Sequence, residues 1–334
     1  MTFPYNAYLL AAVSAFVTVL IALPLWCRWC TKTGLVDDPG HRKIHDEPIP
    51  LAGGLAVMTG LLLPTLLACA ALWWASQQAE NRQGWLDQHS VFLLQYGLGR
   101  RALELATILL GAVGILAVGW LDDKRELKPA AKFTGQFLVA ALVAAGGTRI
   151  TLFVPSVFFS YAVTILWILT LINAFNFMDN MNGLCAGLGL IGAYNLAVLA
   201  AQNSQYLVAL IAFLTCGALL GFLPYNFPRA RAFLGDAGSH LIGYLLAVLA
   251  ILPHFYTVRH PSRWAVFTPL LILALPLIDL AWVVILRWQR GLPFYQGDTN
   301  HLSHRLVRRG LNRWQAVVFI WALAEAIAFL AYLC

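Results

Sequence analysis

Apolar residues run through this chain in ten stretches separated by short polar segments. A bilayer core takes about 20 mostly apolar residues per helix. The stretches at 5–26, 51–74, 102–121, 133–147, 156–177, 183–201, 206–223, 237–254, 264–286 and 314–333 meet or approach that length. The fourth is the shortest and ends at Gly146-Gly147, and the alternating polar and apolar residues of Thr148 to Val154 then predict a small extracytoplasmic hairpin. No linker, low-complexity tract or internal repeat divides the chain. The pattern predicts an all-α polytopic membrane protein of about ten transmembrane helices, with residues 1–334 forming a single integral-membrane domain.

Composition agrees with that pattern. Of 334 residues, 60% are hydrophobic and 11% charged, whereas a soluble domain carries roughly a quarter charged residues and a disordered chain needs low hydrophobicity. Both classes are excluded. The six cysteines lie in or beside apolar stretches, so no disulfide framework is implied; Cys27-Arg-Trp-Cys30 has redox or metal spacing but no second pair.

Charge placement sets the expected topology, because Lys and Arg concentrate on the cytoplasmic side. Alternate loops gather Arg28, Lys32, Arg42, Lys43, Lys124, Arg125, Lys128, Lys132, Arg229, Arg231, Arg287, Arg290, Arg305, Arg308, Arg309 and Arg313, which is 16 of the 22 basic residues. That face is expected to be cytoplasmic, and ten spans put both termini outside. The first basic residue, Arg28, follows the first apolar run, so no cleavable signal peptide is expected. The same face holds ten of the 15 carboxylates: Asp37, Asp38, Asp46, Glu47, Asp122, Asp123, Glu126, Asp179, Asp236 and Asp298. Topogenic bias explains the bases and not the acids, so a polar site on that face is the stronger reading. The net charge of +7 is then a sum of topogenic and site residues, and no nucleic-acid partner is expected.

Five polar segments lie on that side. The first, Asp37-Asp38-Pro39-Gly40-His41-Arg42-Lys43-Ile44-His45 with Gly53-Gly54 beyond it, suits a polyanion, the glycines allowing close backbone approach at a helix start; a basic loop near anionic lipid is the plainer alternative. The second is Asp122-Asp123-Lys124-Arg125, where paired carboxylates at a membrane boundary need a cation or neighbouring bases. In the third, Asn173, Asn176 and Asp179 share one helical face at the end of the fifth stretch, followed by Asn180-Met181-Asn182-Gly183-Leu184; interhelical packing is the alternative. The fourth runs from Tyr225-Asn226-Phe227-Pro228 to Gly235-Asp236-Ala237-Gly238-Ser239, a carboxylate between glycines at a helix start, equally consistent with a simple N-cap. The fifth is Asp298-Thr299-Asn300-His301-Leu302-Ser303-His304-Arg305-Leu306, where anion contact is favoured over zinc because no cysteine or glutamate completes a tetrahedral set. Pro276 and Asp279 suggest a broken ninth helix, with Asp279 either functional or a paired structural carboxylate. No Walker or Rossmann glycine pattern is present.

In this order, over about residues 30 to 310, the five segments resemble the polyprenyl-phosphate N-acetylhexosamine-1-phosphate transferases. The fifth segment is more similar to the N-acetylglucosamine branch than to the phospho-N-acetylmuramoyl-pentapeptide branch, whose loop has a run of histidines. The resemblance implies transfer of N-acetylhexosamine-1-phosphate, GlcNAc-1-phosphate first, from a UDP-sugar to undecaprenyl phosphate in the bacterial cytoplasmic membrane. UMP leaves, and a lipid-linked cell-envelope glycan is begun. Mg2+ is the implied cofactor, with Mn2+ as an alternative, and relatives are commonly homodimers. By this resemblance Asp236, then Asp179, hold the metal, and Asp122, Asp123 and Asp236 form the catalytic set. Asn173, Asn176, Asp179 and Asn182 face the nucleotide side, while Lys43, His45, Asn226, His301, His304 and Arg305 contact phosphate or sugar. The chain departs from the family's Asp-Gly-x-Asp-Gly-Leu by having Asn180 and Asn182, and has Ser303 where histidine is frequent. A muramoyl-pentapeptide transferase is the alternative within the family. A transporter is the alternative outside it, although that class predicts mid-membrane charges and repeat symmetry.

Overall fold

The computed structural model describes residues 3–39, 47–77, 88–152, 154–253, 255, 263–293 and 299–333. The described chain is helical apart from one short ladder. The helices are α1 Tyr5–Thr33, α2 Gly53–Gln77, α3 Gln88–Arg100, α4 Ala102–Arg125, α5 Pro129–Ala145, α6 Val157–Met178, α7 Leu184–Gln202, α8 Tyr206–Asn226, α9 Gly235–Ile251, α10 Thr268–Ile272, α11 Ala274–Gln289, α12 Leu302–Arg308 and α13 Arg313–Phe329. Between α1 and α2, β1 (Val36–Asp37) and β2 (Ile49–Pro50) pair antiparallel.

Each apolar stretch carries helix, but fewer qualify as crossings than the sequence suggested. Seven described helices are long and apolar enough to cross a membrane, or up to eight if the bent pair Trp264–Ile272 and Ala274–Gln289 is one span. Helices α5 and α9 have only 17 residues each, which is short for a bilayer crossing. The expected break in the ninth stretch is present as a 74° bend between these two segments. Pro276 falls in the first turn of α11, where its missing N–H costs no helical hydrogen bond. Two local expectations change. Helix α3 was not foreseen, and no strand forms among the described residues of 148–154; the Ile150 N–H bonds to Thr164 Oγ1 on α6 instead of to a partner strand.

Helix α9 is the central post. Its residues Ala237 to Ala250 are buried, and it packs against α2, α4, α6 and α7. Close approach explains Gly53-Gly54 differently from the sequence reading. A Cβ on Gly54 would lie 2.5 Å from the backbone nitrogen of Gly238, so this glycine admits the start of α9 rather than a ligand. The chain before α2 is tied to the same place, since Phe233 N–H bonds to Pro50 C=O and Gly53 N–H to Phe233 C=O. The starts of α2, α5, α7 and α9 and the ends of α4, α6 and α8 thereby meet at one end of the bundle.

Candidate active site

That end is organised around the first turn of α9. Gly235 adopts φ +67°, a left-handed conformation that costs glycine little, and a Cβ there would lie 2.6 Å from Asp123 Oδ2. Asp123, on the last turn of α4, accepts the backbone N–H of Asp236 at 2.7 Å on Oδ1 and that of Ala237 at 3.0 Å on Oδ2. The first amides of a helix have no partner within it, so Asp123 caps α9 from a neighbouring helix. Its role here is to hold the turn bearing Asp236.

Asp122, one residue earlier, is buried and folds the α4–α5 connection. Its Oδ1 accepts Leu127 N–H at 2.8 Å, Pro129 starts α5 in the first helical position, and one turn later Lys132 returns to the carboxylate. Lys132 Nζ lies 2.6 Å from Asp122 Oδ2 and 3.2 Å from Asp236 Oδ2. The other Asp236 oxygen accepts from Asn176 Nδ2 on α6, which also reaches Ser239 Oγ at 3.0 Å. Behind this cluster, Asn173 donates to Gln136 Oε1 at 2.8 Å, and Gln136 Nε2 lies 3.5 Å from the buried His240 ring. The structure therefore brings together Asp122, Asp123, Asn173, Asn176 and Asp236, as the sequence suggested, and adds Lys132, Gln136, Ser239 and His240, which the sequence reading did not place in the site.

The turn after α6 carries Asp179, Asn180 and Asn182. Asn180 accepts Ser303 Oγ–H at 2.6 Å, and Asn182 Nδ2 donates to Pro228 C=O at 3.2 Å. Asn226 is only 2% exposed, its oxygen accepting Gly183 N–H at 2.7 Å and its amide donating to Ala232 C=O at 2.9 Å. Asn226 thus clamps two site-forming turns, with both polar ends committed to backbone, rather than facing a ligand. The Asp179 carboxylate takes no hydrogen bond from a described residue. Burial and the charges of Asp236, Asp123 and Asp37 push its pKa up to about 8.

On the far side of the site, His301 Nδ1 lies 2.7 Å from Asp279 Oδ2, and Leu302 N–H donates to Asp279 Oδ1 at 2.6 Å. Asp279 is therefore a paired carboxylate. His304 is half-buried; burial, then His301, Arg308 and Arg313, hold its pKa below the usual histidine value against an opposing pull from Asp279. The Arg305 guanidinium stacks 4.8 Å over the Trp282 ring. Lys43 and His45 fall outside the described residues, although β1 and β2 bring the two ends of their loop to the site.

A groove of about 680 Å³ leaves the cluster between α5, α6 and α11. Its polar end includes Asp122, Lys132, Asn173, Asn176 and Asp236, and Phe133, Leu166, Leu169, Leu280 and Val284 are among the residues that line the rest. Among the described residues, no three His, Cys, Asp or Glu side chains converge as a ready metal cage. The donor set still fits Mg2+, which is commonly bound by one or two carboxylates plus substrate phosphates and water. Asp179 and Asp236 supply such carboxylates, and the Asp179 oxygens are uncommitted to any described donor.

The chain is 31% identical over 319 residues to a Bacillus subtilis protein named probable undecaprenyl-phosphate N-acetylglucosaminyl 1-phosphate transferase, with 93% of this chain and 80% of the relative covered. The chain belongs to glycosyl transferase family 4. The family's own profile matches residues 105–254, a range that includes Asp122, Asp123, Lys132, Asn176, Asp179 and Asp236. A Mycobacterium tuberculosis protein named decaprenyl-phosphate N-acetylglucosaminephosphotransferase is 32% identical over 90% of this chain and 75% of its own length. An Escherichia coli undecaprenyl-phosphate alpha-N-acetylglucosaminyl 1-phosphate transferase is 26% identical over 96% of this chain and 82% of its own length. Within family 4, these relatives place the chain in the polyprenyl-phosphate GlcNAc-1-phosphate transferase branch.

Proposed function

We propose that this membrane enzyme transfers GlcNAc-1-phosphate from UDP-GlcNAc to undecaprenyl phosphate and releases UMP. A terminal oxygen of the lipid phosphate attacks the sugar-bearing phosphorus of the donor. A new phosphoanhydride bond forms as the one to UMP breaks, so no ATP is consumed, and the atoms balance. The observation that carries this reading is the groove, which runs from the Lys132, Asp122 and Asp236 cluster to a wall of Leu166, Leu169, Leu280 and Val284. It offers one path for a charged head and an apolar tail.

Bringing two anions together is the physical difficulty, and positioning with fixed charge is the remedy. Lys132 presents an ammonium at the mouth of the apolar groove and suits the lipid phosphate. Asn176 holds Asp236 in place, while Asp123 fixes the turn beneath it. His301, His304 and Arg305 lie on the donor side, where guanidinium and imidazole N–H groups suit phosphate oxygens. Asp236 and Asp179 would hold Mg2+, which when bound neutralises diphosphate charge. A phosphate monoester with a second pKa near 6 is already largely dianionic at neutral pH, so Asp122 and Asp123 serve as positioning groups rather than as an obligatory base.

The chain, as one membrane domain, crosses a bacterial inner membrane ten times with α5 and α9 as short spans, both termini outside and the site on the cytoplasmic face. Purified protein with undecaprenyl phosphate, Mg2+ and a panel of UDP-HexNAc donors tests the activity; absence of UMP release with every donor would end it.

A further inference from the structure

Asp279 reaches the donor side from the helix that walls the lipid groove. It is 3% exposed and its partner His301 5%. Both carboxylate oxygens are engaged on the 301–302 segment, one by the His301 ring at 2.7 Å and one by Leu302 N–H at 2.6 Å. A carboxylate beside Nδ1 selects the tautomer that carries its proton there, leaving Nε2 for another partner. The ring is held on a second side by Phe177, at 5.6 Å in an edge-to-face arrangement, and Phe177 itself lines the groove. The same segment is tied to the turn bearing Asp179 by the bond from Ser303 to Asn180. Immediately after Asp279, Leu280 and then Val284 form part of the groove wall.

We infer that Asp279 is a positioning residue for the transfer reaction: it fixes His301 with its Nδ1 proton on the carboxylate and Nε2 available to the donor diphosphate. The inference rests on the reading of His301 as a donor contact. With both ring nitrogens protonated, Nδ1–H stays on Asp279, which supplies the counter-charge inside the buried pair, and Nε2–H donates to a phosphate oxygen. A carboxylate that served only to brace α11 would leave the histidine tautomer and the donor kinetics independent of its identity.

Kinetics on Asp279→Asn, Asp279→Glu, His301→Ala and the Asp279→Asn/His301→Ala double variant test this. Orienting partners of this kind commonly contribute roughly 10- to 100-fold, so Asp279→Asn is expected to lower kcat/KM for the UDP-sugar by that factor. Acceptor KM should stay within about two-fold because the groove wall is unchanged. Asp279→Glu recovers part of the loss, and the double variant is no slower than His301→Ala. Multiplicative losses in the double variant, or a change confined to acceptor KM, would overturn the inference. A second readout does not depend on activity or on a folded variant at position 279. In wild-type protein labelled with 15N-histidine, the resonance absent from His301→Ala must show an Nδ1-bound proton; an Nε2-only proton there would also overturn it. If wild type transfers nothing from any UDP-sugar while the Nδ1 proton is present, the functional reading fails and the Asp279–His301 geometry stands.

Discussion

Asp123 Oδ1 accepts the backbone N–H of Asp236 at 2.7 Å, joining the last turn of α4 to the first turn of α9. The second oxygen takes Ala237 N–H at 3.0 Å, so two helix-end amides depend on one side chain. Leaving such a donor unmet costs about 1–3 kcal/mol. Asp123→Ala is therefore expected to lower thermal stability in detergent and to reduce turnover at least 10-fold by releasing Asp236. Asp123→Asn retains one acceptor oxygen and should be less damaged on both measures. Equal melting temperatures for wild type and Asp123→Ala would contradict the capping role.

Lys132 lies between Asp122 and Asp236, at 2.6 and 3.2 Å. Removing one partner of such a largely buried group of charges leaves the others uncompensated. Lys132→Met should lower kcat by a factor on the order of 100 and raise the affinity for Mg2+, since a competing positive charge is gone. Lys132→Arg should retain part of the turnover. Titration with Mg2+ followed by tryptophan fluorescence reads the second effect; weaker Mg2+ binding in Lys132→Met would show that the lysine is not a competing cation.

These two relationships show what the sequence made legible. The apolar stretches predicted where helices lie, and the convergence of Asp122, Asp123, Asn176 and Asp236 followed from placing polar segments at one end of alternating spans. Roles within the cluster were not legible, because a carboxylate that caps a neighbouring helix and one that holds a ligand look alike along the chain. Asp123 and Asn226 both spend their polar atoms on distant backbone. Lys132 looked topogenic because its partners come from α4 and α9, and nothing along the chain singled out His240 within the mostly apolar α9. Apolar length alone did not distinguish the long crossings from the two stretches that form helices of 17 residues.

His304 gives a pH test with a definite sign. Burial and the charges of His301, Arg308 and Arg313, opposed by Asp279, hold its pKa below that of an ordinary histidine, which favours the neutral ring in the free protein. An anionic diphosphate alongside favours the charged ring. Donor binding should then take up protons, and its affinity should rise as pH falls toward the ring's lowered pKa. Calorimetry in two buffers of different ionisation enthalpy measures the uptake, which His304→Gln should remove. Proton release on binding would contradict this placement.

The groove has a steric test. Leu166, Leu280 and Val284 face a space of about 680 Å³, and an indole there would narrow the tail path. Val284→Trp and Leu166→Trp are each expected to raise KM for undecaprenyl phosphate about 10-fold, with UDP-sugar affinity unchanged. An unchanged KM for undecaprenyl phosphate in both variants would show that these residues do not line the path of the lipid.

In the proposed reaction the group moved is the sugar with its phosphate, onto a lipid phosphate. Its most direct test uses UDP-GlcNAc labelled with 32P in the phosphate attached to the sugar, incubated with purified protein, Mg2+ and undecaprenyl phosphate. The label should enter the lipid phase with GlcNAc in equal amount, unlabelled UMP should appear in water, and Asp236→Ala should abolish both. GlcNAc entering the lipid phase while the label stays in water as UDP would contradict it.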